Sequence, residues 1–460
     1  MIKRLIVTLA LMLSQVASAA TERDIVEHYA AIAHAVYGDS AAAAAQLLNS
    51  VDALLSKPDE NTLAGARSAW KAARVPYQQS EVFRFGNPVV DDWEGRVNSW
   101  PLDEGLIDYV DDSYAASLGN IAADMNIIAN PRIDLGGAVI DAAQISPALL
   151  EDLHEVGGAV ANVTTGYHAI EFLLWGQDLN GHQAGAGQRP YTDFVVGEAC
   201  SHGHCERRAA YLRAATQQLV SDLRYMASQW APGNTANYRA ELLSLPPKQA
   251  LARIVKGMGS LSLGELGGER IKVALEANSP EDEHDCFSDN THWSHYYNGL
   301  GIRNVYLGEY QRRDGTLLRG PSLSAAVAAV APRVDKQLRL DLDATMAELK
   351  TLTEWAERPA APQKFDMLIA PDHPEGRALL TRILQRLEQQ TRSIEQAASA
   401  INVNANASSS CQAGDAGRAM HRVVTARSIA LSCRLSPCPV FTGSISEPLS
   451  GPTAGLGSGP

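Results

Sequence analysis

Apolar residues recur every three or four positions along most of the chain. Ile25, Tyr29, Ile32 and Val36 are four, three and four apart, which is one face of a helix. Thr21 and Asp24 stand just ahead of that face as an N-terminal capping pair. Leu47, Val51 and Leu54 repeat the spacing, as do Leu63, Ala66, Trp70 and Ala73, until Pro76 is expected to kink or end the helix. Further stripes run through Leu212, Leu219, Leu223 and Met226, through Leu338, Leu342, Met346 and Leu349, and through Leu379, Ile383, Leu387, Thr391 and Ile394. Alternation with β-branched residues is scarce, so a major sheet is not expected. The pattern predicts an all-α chain.

Glycine and proline gather at 176–190 (Gly176, Gly181, Gly185, Gly187, Pro190), which reads as a loop between two helical halves. The expected organisation is a helical-bundle half over 20–200 and a second over 201–402. From about 403 the composition turns to Ser, Ala, Gly, Pro and Arg without helical periodicity. That stretch holds Cys411, Cys433 and Cys438 but only two acids, Asp415 and Glu447. Residues 403–460 are expected to be an unstructured or non-native tail. At the other end, Lys3 and Arg4 precede an apolar stretch from Leu5 to Leu13, and Ala17-Ser18-Ala19 follows. This reads as a signal peptide over 1–19, cut before Ala20, and implies export.

Composition narrows the function classes. The chain has 460 residues, 45% of them hydrophobic and 20% charged, which allows a large core and excludes a fibrous or wholly disordered chain. Net charge is −13 and no long basic run is present, which disfavours nucleic acid as a partner. Glycine-rich phosphate loops, HExxH and G-x-S-x-G are all missing. Six cysteines suit an oxidising compartment. Cys200 and Cys205 close the short run Cys-Ser-His-Gly-His-Cys. A disulfide is favoured there over a metal clip with His202 and His204, because four ligands within six residues rarely surround one ion tetrahedrally.

The strongest candidate for chemistry is Gly166-Tyr167-His168-Ala169-Ile170-Glu171, followed by Phe172-Leu173-Leu174-Trp175-Gly176. His168 and Glu171 are three apart, so a helix sets both on one face within reach of one ion. The apolar residues around them predict a buried helix, and a buried carboxylate needs a partner or it neutralises. A metal would be one partner; a hydrogen-bonded His–Glu or Arg–Glu pair would be another. Glu81 and Asp103 are candidate oxygen ligands, although for either one alone an ion pair or a helix cap is the more ordinary role. A second unusual run, Glu281 to His292, packs five acids and two histidines into twelve residues. It reads as a solvated loop ahead of a helix capped by Asp289 or Asn290, with convergence on a metal as the alternative.

Across Gly166–Gly176 the chain resembles the imelysin family, the insulin-cleaving membrane protease-like proteins with the pattern G-x-H-x-x-E. The segments Arg74–Phe85 and Glu281–His292 look like those of its iron-regulated protein A branch, and the resemblance covers roughly 25–402. It implies two helical-bundle domains with the G-x-H-x-x-E region near a cleft, and a periplasmic or outer-membrane-associated location. It also implies a link to iron uptake. On that basis the expected function is metal binding accessory to iron uptake, with other envelope iron-uptake proteins as partners. Iron is the favoured ion and zinc the alternative. His168, Glu171, Glu81 and Asp103 would be ligands, with Arg84 and Gly166 organising them. The family was also named for peptidases, but zinc hydrolysis needs a third ligand and a general base, and Phe172 stands where a further histidine would follow Glu171. A non-catalytic module gripping a peptide or glycan is the remaining alternative.

Overall fold

The 35-residue helix Glu22–Ser56 shows how closely local chemistry sets the element ends. Thr21 Oγ1 accepts the Asp24 backbone N–H at 3.2 Å, and the Asp24 carboxylate accepts the Thr21 N–H at 2.7 Å. The computed structural model describes residues 20–114 and 119–404. The signal peptide read over 1–19, and all but the first two residues of the tail read over 403–460, lie outside them.

Helix Glu60–Ser80 carries Pro76 within it. The expectation that the helix could end at Pro76 is therefore corrected: the turn continues to Ser80. Buried Trp70, Ala73, Tyr77 and Gln78 on either side of the proline supply packing that offsets one missing N–H bond. This helix packs on Glu22–Ser56 and on Thr291–Leu307. The first helix also packs on Cys205–Gln229, while Thr291–Leu307 lies against Pro332–Ala356 and that in turn against Pro374–Ala400. One large apolar core runs from Ile25 to Val403, and a smaller one gathers Leu266, Leu349, Phe365, Leu379 and Leu387.

Strand structure among the described residues is limited to two antiparallel hairpins. Arg132–Asp134 pairs with Val139–Asp141, and Glu309–Gln311 with Leu317–Arg319. The all-α reading holds. Residues Ser260–Lys272 wind as a π-helix, a rare form that recurs at functional sites. It carries Arg270 into the interior, where the guanidinium is fully buried. Among the described residues no helix is long and apolar enough to cross a membrane.

Candidate metal centre

Helix Gly166–Trp175 is buried along its whole length, as the surrounding apolar residues predicted. Its start depends on Gly166, whose φ is +85°. A Cβ there would also stand 2.6 Å from the Val97 carbonyl oxygen, so only glycine brings the helix this close to that backbone. One turn on, His168 Nδ1 lies 2.9 Å from Glu171 Oε2, with the residues 2% and 0% exposed. The other oxygen of Glu171 accepts from Ser288, at 3.0 Å from the backbone N–H and 2.6 Å from the hydroxyl. Both oxygens of Glu171 are thereby engaged. His168 Nε2 is buried and has no hydrogen-bond partner.

The Glu281–His292 run supplies the rest. The expectation of a solvated loop is overturned, because Glu283, His284, Asp285 and Asp289 are all buried. The His284 ring stands edge-on to His168 at 5.0 Å and to Trp100 at 4.4 Å. Asp285 Oδ1 takes a 2.6 Å bond from Arg74, while Oδ2 accepts from Asn290 at 2.9 Å and from the Ser294 hydroxyl at 2.5 Å. Ligand atoms of His168, His284 and Asp285 all lie within 4.8 Å of one another, the reach of a single ion.

Electrostatics fit that grouping. Burial, reinforced by Arg74, pushes the His168 imidazole down to about 3. Burial and Arg270 lower His284 in the same sense. Both rings are neutral at ordinary pH, the state in which imidazole coordinates. Burial raises Asp285, but Arg74 and the His284 hydrogen bond outweigh it and hold the carboxyl well below its usual range. Burial, then repulsion from Asp285, pushes Glu171 well above the usual range. Burial thus favours the neutral form of both members of the His168–Glu171 pair.

The other sequence candidates lie elsewhere. Glu81 is buried, but its carboxylate is bound to Arg270 at 2.5 Å. Arg270 also reaches Glu265 at 3.1 Å and Asn298 at 2.7 Å, above the face of Trp100. Asp103 accepts from Tyr114 at 3.0 Å and from Asn120. Neither carboxylate belongs to the converging group. Arg84 bridges Glu94 at 3.2 Å and Asp91 at 3.1 Å. Glu94 accepts from Asn98, and Asn98 accepts from Arg74 at 2.6 Å, so a chain of polar contacts connects Arg84 to Arg74. Cys200 and Cys205 form a disulfide. His202 instead approaches Asp193 at 2.5 Å and stacks on Tyr109. Sequence reasoning missed the partnership of Arg74, His284 and Asp285. The density of acids and histidines at 281–292 was the available signal.

Comparison with known proteins decides the family. Residues 33–394 match the sequence model of imelysin. The chain belongs to the imelysin family. Among curated proteins, iron-regulated protein A of Synechococcus elongatus is 26% identical over 310 residues, covering 66% of this chain and 67% of that protein. Two crystal structures share the fold. A protein from Parabacteroides distasonis described as an iron-regulated protein A precursor matches with a TM-score of 0.59 at 18% identity, over 83% of this chain and 97% of that one. An imelysin-like protein from Psychrobacter arcticum matches with a TM-score of 0.56 at 16% identity, over 84% of this chain and 98% of that one.

Proposed function

We propose that this imelysin-family protein is exported and binds iron at His168, His284 and Asp285, as an accessory to iron uptake. The observation that carries the reading is His168 Nε2, a buried ring nitrogen with no partner beside a second imidazole and an ionised carboxylate. A carboxylate on the far side of a ligating histidine is the usual means of fixing its tautomer, and Glu171 stands in that position. Glu171 is then a positioning residue. His168 would hold the ion through Nε2, which must then be free of its proton, while Nδ1 keeps its contact with Glu171. Mixed imidazole and carboxylate donors suit iron, with no thiolate in the group. The near-complete burial of all three residues suits an ion and not a polypeptide, which sets hydrolysis of a protein substrate behind binding. The similarity to iron-regulated protein A of Synechococcus elongatus supports a role under iron control, and the leader-like pattern of residues 1–19 supports export.

The test is calorimetry of the mature chain with ferrous ion under anaerobic conditions, ferric chelate and zinc. Wild type is expected to bind ferrous ion, and His168→Ala and His284→Ala to lose most of that affinity. Glu81→Gln and Asp103→Asn should leave it within a few-fold. Unchanged affinity in both folded histidine variants would remove the function from this site.

A further inference from the structure

A second group of carboxylates forms beyond the first site. Asp178 lies on the loop after helix Gly166–Trp175, Asp289 near the end of the acidic run, and Asp366 on the short turn Phe365–Leu368. Carboxylate oxygens of the three lie within 4.8 Å of one another. Asp366 is 1% exposed, and neither of its oxygens has a hydrogen-bond partner of normal geometry. The nearest donors to it are the backbone N–H groups of its own residue and of Met367. The Gly185 backbone N–H favours the Asp289 carboxylate, whose Oδ1 has no hydrogen-bond partner. Asp178 is half-buried and is braced by Asn180, at 2.9 Å from its N–H and 2.6 Å from its side chain. Glu283 stands close enough to repel both buried aspartates, and its Oε1 is also unpartnered.

Buried carboxylates without donors are costly, and none of these three is paired with a cationic side chain within ion-pair distance among the described residues. Lys71 and Lys364 are the cations that act on Asp289. Lys364 is paired at 3.1 Å with Glu357, which also takes His292 at 2.7 Å. Neither lysine forms an ion pair with the three aspartates. Two oxygens bound to one calcium ion at 2.3–2.6 Å stand at most about 5 Å apart, so carboxylates whose oxygens lie within 4.8 Å of one another can share one ion. Three carboxylates offer up to six oxygens, within calcium's coordination range. The group contains no imidazole or thiolate, which separates it from the first site and disfavours soft metals.

From this geometry we infer that Asp178, Asp289 and Asp366 form a second cation site, selective for a hard, oxygen-preferring divalent ion of the calcium type, with Glu283 adding to its negative field. Half-buried Asp178 is its edge toward solvent. The inference does not depend on the histidine site.

The test is calorimetry of the mature chain with calcium and, separately, manganese. Wild type and His168→Ala should each bind one calcium ion with the same affinity. Asp366→Asn and Asp289→Asn keep shape and remove charge, and each should weaken calcium binding by roughly tenfold or more. Thermal melting in chelator checks folding, and Asp366→Asn should melt no lower than wild type because it removes an unpartnered buried acid. Three results would overturn the inference. One is no saturable binding of calcium or manganese up to about 10 mM, above the range of weak extracellular calcium modules. Another is undiminished calcium binding in both aspartate variants. The third is calcium binding lost in His168→Ala but kept in Asp366→Asn, which would place the ion at the histidines.

Discussion

Replacing Arg74 with methionine separates the two things this arginine does. Arg74 and Asp285 are 1% and 0% exposed, and their charges meet at 2.6 Å. Methionine keeps an unbranched apolar stem but removes the guanidinium, which lies over the rings of Trp70, Tyr77 and Tyr167. It leaves Asp285 with Asn290, Ser294 and His284 but without a counter-charge. Stranding a buried partner of this kind costs about 3–5 kcal/mol. Adding Asp285→Asn removes the stranded charge, so the double variant should recover part of that loss, with a coupling energy of about 2–3 kcal/mol. Urea unfolding of the four proteins in chelator measures it.

Arg74 also opposes any cation placed beside it. At about 5 Å and an effective dielectric of about 20, unit charges repel by about 3 kcal/mol, and each 1.4 kcal/mol is tenfold in affinity. Arg74→Met should therefore bind ferrous ion tenfold or more tighter than wild type while being less stable without it. Saturating ion at about 100 times Kd would return about 2.7 kcal/mol. A purely structural Arg74–Asp285 pair gives the destabilisation with no rescue. The reasoning fails if the variant loses less than about 1 kcal/mol, or if its ion affinity drops.

Two further outcomes follow from named groups. Gly166→Ala should cost about 2 kcal/mol or more, read by thermal or urea unfolding, since it combines φ of +85° with a 2.6 Å approach to the Val97 carbonyl; a neutral effect would contradict the geometry. Burial with Glu281 pushes Glu104 up to about 8, and burial with Asp289 pushes Asp366 up to about 8, so their stabilising share is complete below the ordinary carboxylate values and is lost as pH rises through about 8. Burial holds His292 down to about 4 and His295 down to about 3, so their share is complete above 6.5 and is lost as pH falls toward those values. The melting temperature in chelator should therefore decline from pH 6.5 to about 8.5, with Glu104→Gln reducing the decline; a flat alkaline side in wild type would contradict the assignment.

How far the sequence revealed the molecule depends on how local each interaction is. The Thr21–Asp24 cap and the burial of helix Gly166–Trp175 were legible because they involve neighbours along one helix. The His168–Glu171 contact was legible for the same reason. Glu81 was read as a candidate oxygen ligand or a member of an ion pair, and its ion-pair partner is Arg270, 189 positions away on a π-helix that no periodicity announces. The acidic run was read as solvated because its charge density is unaffordable in a core unless distant cations enter with it. Arg74 lies 211 positions from Asp285. Local spacing carries no trace of such a pairing.

Within that acidic run, one short stretch of backbone contributes to two separate groups of polar side chains. His284 and Asp285 turn toward His168, and Ser288 holds the carboxylate that positions it. The next residue, Asp289, turns to Asp178 and Asp366 with φ of +52°, a reversal that sends successive side chains different ways. Charges on the first side are matched: Arg74 answers Asp285, and Arg270 answers Glu81 and Glu265. What remains there is a buried ring nitrogen without a hydrogen-bond partner on a neutral ring, which favours a coordinating metal over simple charge attraction. On the second side the carboxylates outnumber their donors, which favours a hard ion held by charge. The two groups thus differ in chemistry while sharing a backbone, and an ion at the aspartates would steady the residues that shape the histidine site.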